Sequence, residues 1–103
     1  MPHVLLLALT IIGAPLAACA ADLHLRNAAD VALVHVHAVP DGQAGDGPDH
    51  LDGQAVAPGE EVRLEIPGDA CRLRLRLVWL DGASADRTID ACAADGPTAL
   101  RVP

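Results

Sequence analysis

The chain has no tyrosine, no phenylalanine and no lysine, and Trp79 is its single aromatic residue. Its core must be assembled from Leu, Val, Ile and Ala, which leaves a small domain lean and in need of a covalent staple. Seven arginines face fourteen acidic residues, so the net charge is −7 with neutral histidines. An acidic surface is a poor partner for nucleic acid or an anionic membrane, both of which select basic patches. Hydroxyl nucleophiles are scarce too. Ser84 is the only serine, and Thr88 and Thr98 are the only threonines after Thr10. Ser84 falls in an expected hairpin loop beside Asp86, with no base placed by sequence. No nucleophile elbow, phosphate loop or metalloprotease helix motif is present. Catalysis is therefore not expected.

What the chain does have begins at its amino terminus. Residues 4–12 form an apolar run, Gly13-Ala14-Pro15-Leu16-Ala17-Ala18-Cys19-Ala20-Ala21 follows, and hydrophobicity stops at Asp22. This is the layout of a cleaved signal peptide over residues 1–21: a short head, an apolar centre, and small residues where a signal peptidase must fit. The head carries His3 but neither Lys nor Arg. The run is too short to span a membrane as a helix, which takes about 20 residues, and Pro15 would interrupt one. Two processing routes stay open. Ala18-Cys19-Ala20, or Cys19-Ala20-Ala21 one residue on, fits the small-x-small rule for release. Leu16-Ala17-Ala18-Cys19 also matches the bacterial lipobox, which would place acyl chains on Cys19 and hold the protein at a membrane. By either route the protein is expected to be exported, periplasmic or secreted, with about 83 residues left to fold as one domain.

Export makes the cysteines readable. Cys19 is either lipidated or discarded, which leaves Cys71 and Cys92 as an even pair. In an oxidising compartment such a pair is expected to be bonded, and closing its loop is worth ~3 kcal/mol of chain entropy. The alternative is a reactive dithiol, for which there is no Cys-x-x-Cys spacing.

The remaining pattern has period two, which predicts strands. Leu23 and Leu25 alternate with Asp22, His24 and Arg26, and Asn27-Ala28-Ala29-Asp30 is a turn. Residues 31–39 are β-rich, and the even set Ala32, Val34, Val36 and Ala38 is expected to face the core, with His35 and His37 outward. An acidic Gly-rich loop over residues 40–53 breaks the pattern, with a short helical turn expected near His50-Leu51. Pro58-Gly59 is a tight turn, and Val62, Leu64 and Ile66 mark the next strand. Cys71, Leu73, Leu75, Leu77 and Trp79 alternate with Arg72, Arg74 and Arg76 in the strongest strand. Asp81-Gly82 is a type I′ hairpin signal. Ile89 and Ala91, then Leu100 and Val102, mark the last two strands. Six or seven strands with regular turns predict an all-β fold, a small Ig-like antiparallel β-sandwich.

Three clusters could carry chemistry. The first is histidine. His35 and His37 share one strand face. If the turn at 27–30 closes a hairpin, His24 falls opposite His35 and Asp22 opposite His37, which gathers three imidazoles and a carboxylate suited to copper, zinc or nickel. Cleavage after Ala21 would add a terminal Asp22-Leu23-His24, similar to the amino-terminal copper/nickel motif with histidine third. The second is a calcium loop from Asp41, Asp46, Asp49 and Asp52, which supplies oxygens but lacks the EF-hand register. The third is the stripe Arg72/Arg74/Arg76, either an anion site or a solvated face paired with Glu61, Glu65 or other acids.

Several pieces also stand in a familiar order. They are Leu25-Arg26-Asn27, the strand of residues 31–40, Gly47-Pro48-Asp49 before Leu51-Asp52-Gly53, and Ala57-Pro58-Gly59-Glu60. Cys71 at the head of an alternating strand, Asp81-Gly82 and Ile89-Asp90-Ala91-Cys92 complete the set. Across nearly the whole mature chain this resembles a family of small, uncharacterised secreted bacterial β-sandwich proteins. The resemblance implies the sandwich and a bonded cysteine pair, and brings no activity and no catalytic residues. The chain departs from it at His37, where the family tends to have Tyr, and at Asp46-Gly47, where it tends to have Trp-Gly.

The expected function is a non-enzymatic exported envelope protein or lipoprotein, a binding or structural module for a protein partner in the cell envelope. No cofactor is expected on this reading, and the membrane enters only through a lipid at Cys19. The alternative is a periplasmic metal-binding protein that uses the histidine cluster for copper, zinc or nickel.

Overall fold

The computed structural model describes residues 20–92 and 98–103. The lipobox, Cys19 and all but the last two residues of the expected signal peptide lie outside the described residues.

Six strands follow one another: β1 (Ala20–Asn27), β2 (Leu33–Pro40), β3 (Glu61–Pro67), β4 (Arg72–Trp79), β5 (Ser84–Asp90) and β6 (Thr98–Val102). They form two three-stranded sheets, ordered β3-β1-β6 and β2-β4-β5. Alternation does what the sequence predicts in β3 and β4. Leu64 and Ile66 of β3, and Leu73, Leu75, Leu77 and Trp79 of β4, are buried, while the residues between them face outward. Leu23, Leu25 and Val102 from one sheet pack against Leu33, Val36, Leu75 and Leu77 from the other in a single core. The protein is thus a two-layer β-sandwich, all-β as expected. The ladder between β1 and β6 is parallel, and the other ladders are antiparallel.

Three local expectations are corrected. First, the turn at 27–30 closes no hairpin: β1 pairs with β3 and β6, and β2 lies in the opposite sheet. The Asn27 side chain causes the crossing. Its Oδ1 accepts from the Ala29 N–H at 3.1 Å, an Asx turn that redirects the chain from one layer to the other. Second, the even-numbered core set of residues 32–38 holds only for Val36 and Ala38. The register shifts between Leu33 and His35, so Val34 is an extra bulged residue and Leu33 is the one buried. A bulge of one residue inverts the side-chain phase. Third, the hairpin after β4 is not type I′. Gly82 has φ 90° but Asp81 has no positive φ, and Gly82 N–H donates to Trp79 O at 2.9 Å. The turn centres on Leu80-Asp81, with Gly82 as the left-handed residue that follows.

Asn27 is the one fully buried polar side chain among the described residues. Its Nδ2 donates to Val31 O and to Val56 O, each at 2.9 Å, and its Oδ1 accepts from Trp79 Nε1 at 3.1 Å as well as from Ala29. Every hydrogen-bonding position of the amide is used, which is what makes its burial tolerable. Because Trp79 belongs to β4, this side chain ties β1 directly to the opposite sheet.

Cys71 and Cys92 are disulfide-bonded. Both are exposed, so the bond lies outside the core, at the end of β4 and β5 where Arg72 faces Asp90. It therefore holds two neighbouring strands of one sheet together instead of linking the layers.

Two stability losses follow. Asn27→Ala strands the Trp79 indole N–H, removes the side-chain donor of Val31 O and leaves Val56 O with the Leu33 N–H alone, and is expected to cost about 3 kcal/mol in urea unfolding. Cys71→Ser/Cys92→Ser is expected to cost about 3 kcal/mol. An Asn27→Ala loss under 1 kcal/mol would remove the amide from its place in the fold.

Candidate functional site

The chemistry-bearing side chains collect where residues 41–57 fold along β2. This segment has no regular secondary structure, yet it is held throughout. Val56 exchanges two backbone hydrogen bonds with Leu33, each 2.9 Å, and His50 N–H donates to Val36 O at 2.8 Å. β2 is an edge strand, so these bonds cap main-chain groups that would otherwise template pairing with another chain. Gly47 packs flat against the strand, with φ 75°. A Cβ there would lie 2.6 Å from Ala38 O and 2.7 Å from Val39 Cγ1, so only glycine fits.

Asp49 is the hub of the segment. Its Oδ1 accepts from the N–H groups of Val36 and Leu51, both at 3.0 Å, and its Oδ2 accepts from His35 Nδ1 at 2.7 Å. Burial raises the carboxyl, but the His35 bond, the two backbone donors and the nearby His35 charge outweigh it. The group sits below the usual carboxylate range. An ionised carboxylate can only accept, so His35 carries its proton on Nδ1. His37 Nδ1 donates to Gly47 O at 3.0 Å, which fixes the same tautomer. The two rings stand 5.8 Å apart with a 30° tilt between their planes.

His50 lies on the other side of Asp49. Burial pushes its imidazole below the ordinary value. The Asp49 charge opposes that shift and the His37 charge reinforces it. Its Nε2 is buried and accepts or donates no hydrogen bond. His50 also lines a cavity of about 240 Å³ whose wall is mainly apolar, with Pro40, Pro48, Ile66, Pro67 and Leu73.

The arginine stripe is consumed by the same loop. Arg74 Nη2 donates to Gln43 O at 2.9 Å and to Gly45 O at 2.7 Å. Arg72 meets Asp41 at 3.4 Å, and Asp46 lies 3.8 Å from both Arg74 and Arg76. Arg76 also faces Asp86 at 3.5 Å. Glu61 and Glu65 belong to the other sheet and pair with Arg26 and Asp22 positions instead. Exposed pairs such as these contribute little individually. Their effect is positional: they pin a glycine-rich loop onto a rigid sheet.

The expected ligand sets are redistributed by this geometry. The four loop aspartates do not converge. Asp41 and Asp46 face arginines, Asp49 faces His35 and two amides, and Asp52 is exposed in a turn with φ 51°. His24 is separated from His35 and His37, since β1 and β2 lie in different sheets and all three histidines point outward from the core. His24 Nε2 accepts from Arg63 Nε at 3.1 Å. That lone pair is therefore engaged, and the 3.6 Å approach of Asp22 is not an ion pair. The terminal Asp22-Leu23-His24 copper motif needs free backbone amides. Here Leu23 and His24 lie in a central strand paired on both sides. Among the described residues, the one group of three ligating types within reach is Cys71, Asp90 and Cys92, and its sulfurs are bonded to each other.

Sequence reasoning placed His35 and His37 together but missed Asp49 as the partner of His35 and the Gly47 carbonyl as that of His37. The signal was present in Gly47-Pro48-Asp49, a turn whose acceptor had no assigned donor. No protein family, curated protein or solved structure matches the chain.

The two shifted groups give stability a defined pH dependence. Both have folded values below their unfolded ones, so the unfolded chain binds more protons and stability rises with pH. The His50 contribution is complete above about pH 6.5 and is lost as pH falls below it, and that of Asp49 is lost below about pH 3.9. In urea titrations from pH 7.5 to 3, His50→Gln is expected to flatten the upper step and Asp49→Asn the lower one. Curves parallel to that of the unaltered protein would contradict both assignments.

Proposed function

We propose that this protein is a non-enzymatic exported binding module, and that its recognition surface is the outer face of β2 and β4 with the segment 41–57 laid across it. One observation carries the reading. A long irregular segment rich in Gly, Asp and Pro is expensive to order, and here Asp49, Arg74, Gly47 and Val56 all act to fix it. Loops fixed on a rigid scaffold are where binding residues concentrate. The face presents His35, His37 and arginines outward, which suits a ligand or a partner in the cell envelope.

The same reading includes export and favours processing before Cys19. β1 begins at Ala20, and Ala20 and Ala21 pair with Pro67 and Ile66. Cleavage after Ala21 would cut two residues from a strand that packs on the core. A cut before Cys19 retains both Ala20 and Ala21.

Two measurements test this. Intact mass of the protein from the bacterial envelope is expected to show a chain that starts at Cys19, carries acyl groups and contains one disulfide. A chain starting at Asp22 would overturn the lipoprotein reading. A photo-crosslinking residue at Arg76 is expected to trap a discrete partner or ligand-bound species in the envelope, and one at Arg63 on the opposite face is expected to trap none. Equal trapping at both positions would remove the assignment of the face.

A further inference from the structure

We infer that His35 and His37 form a two-imidazole site for a divalent first-row transition-metal ion, with Asp49 and Gly47 as the groups that aim the rings. The inference rests on the reading of this face as the recognition surface and names the ligand it takes. It differs from a surface histidine cluster in one respect: the tautomers are set by the fold.

A histidine can bind a metal only through a nitrogen that carries a lone pair. Metal-binding histidines almost always donate their other N–H to a carboxylate or a backbone carbonyl, which fixes the ring and raises the basicity of the ligating nitrogen. His35 donates from Nδ1 to Asp49 Oδ2 and His37 donates from Nδ1 to Gly47 O, one of each kind. When the rings are neutral, the lone pair that a metal needs is therefore on Nε2 in both residues. Neither makes a hydrogen bond to another described residue, whereas the Nε2 of His24 is occupied by Arg63.

Both Nδ1 atoms point to the loop segment along the β2 edge, so both Nε2 atoms project on the side away from it. Imidazole nitrogen binds zinc at about 2.0–2.1 Å, which puts each ring centre about 3.2 Å from the ion and limits two rings on one ion to about 6.4 Å. The observed 5.8 Å lies within that limit. His35 is about half exposed, so an ion can enter from solvent and keep open positions for water or a further ligand.

Arg76 lies directly across the ladder from His37 and would repel a cation. Its guanidinium is drawn instead to Asp46 and Asp86, at 3.8 and 3.5 Å. With Asp49 bonded to His35, this part of the sheet sets three carboxylates, Asp46, Asp49 and Asp86, against two arginines, Arg74 and Arg76. Imidazole donors favour copper, nickel and zinc, and the general order of stability puts copper first.

The test is calorimetric titration of the exported protein, processed from its full chain and stripped of metal, with Cu²⁺ and with Zn²⁺. One ion per chain is expected, with copper tighter. His35→Ala and His37→Ala are each expected to weaken binding at least tenfold, and His24→Ala is expected to leave it unchanged. Asp49→Asn is expected to weaken it 10- to 100-fold, the usual cost of losing such a partner. Its amide would keep the Val36 and Leu51 bonds through oxygen and turn a donor toward His35 Nδ1, which moves the ring proton to Nε2. Imidazole ¹⁵N spectra read that change directly, and a merely structural role for Asp49 would not produce it. Copper affinity within twofold of the unaltered protein in both single-histidine variants would overturn the site, as would no saturable binding at millimolar metal. A partner trapped at Arg76 in metal-stripped samples, together with that failure, would leave the binding-module reading standing and remove the metal alone. Failure of both would remove the face.

Discussion

The structure depends on one buried amide. Asn27 occupies the place where the chain leaves the first sheet for the second, and it bonds to four residues from three stretches: Ala29 and Val31, Val56, and Trp79. Apolar burial drives the two layers together but is non-directional, and a core of Leu, Val and Ile accepts many offsets. The hydrogen bond from the Trp79 indole accepts one. A single side chain thus converts a greasy contact into a specific arrangement, at the risk that partial loss of its partners is worse than an apolar residue.

The consequences run outward to the candidate site. Val56 O receives both the Leu33 N–H and the Asn27 amide, so the network fixes the far end of the segment 41–57. Asp41 and Arg74 fix its near end through Arg72 O and the carbonyls of Gln43 and Gly45. Between those anchors the segment has little freedom, and Gly47 and Asp49 land beside His37 and His35. The imidazoles lie at the surface, and their Nδ1 atoms are held by Asp49 and Gly47 of the ordered segment. In a small domain with one aromatic residue, that economy of means is what a surface site requires: few groups, each held by several bonds.

Much of this was legible in the sequence. The period of two in Val62–Leu64–Ile66 and in Leu73–Leu75–Leu77–Trp79 reports directly which side of a pleated strand is wet, and those residues are where alternation places them. Pro58-Gly59 likewise turns as its chemistry requires, with Gly59 at φ 83° and Glu60 N–H bonded to Ala57 O. The partners of β1 were not legible. Pairing across sheets is non-local, and a turn signal at Asn27 fits a hairpin and a crossover equally well. The bulge at Val34 was hidden for the same reason, because Ala32, Val34, Val36 and Ala38 are all apolar and read as one face. Asp49 was invisible as a histidine partner because residues fourteen apart meet only once the loop folds back. Asn27, the sole asparagine of the chain, looked like an ordinary turn former.

The most direct test uses the fact that the chain has one tryptophan and so one indole N–H resonance. If Asn27 Oδ1 holds that proton inside the sandwich, hydrogen exchange at Trp79 Nε1 requires global opening. It should then match the slowest backbone amides of Leu75 and Leu77. An indole proton that exchanges within minutes at neutral pH, while those amides remain protected, would contradict the account.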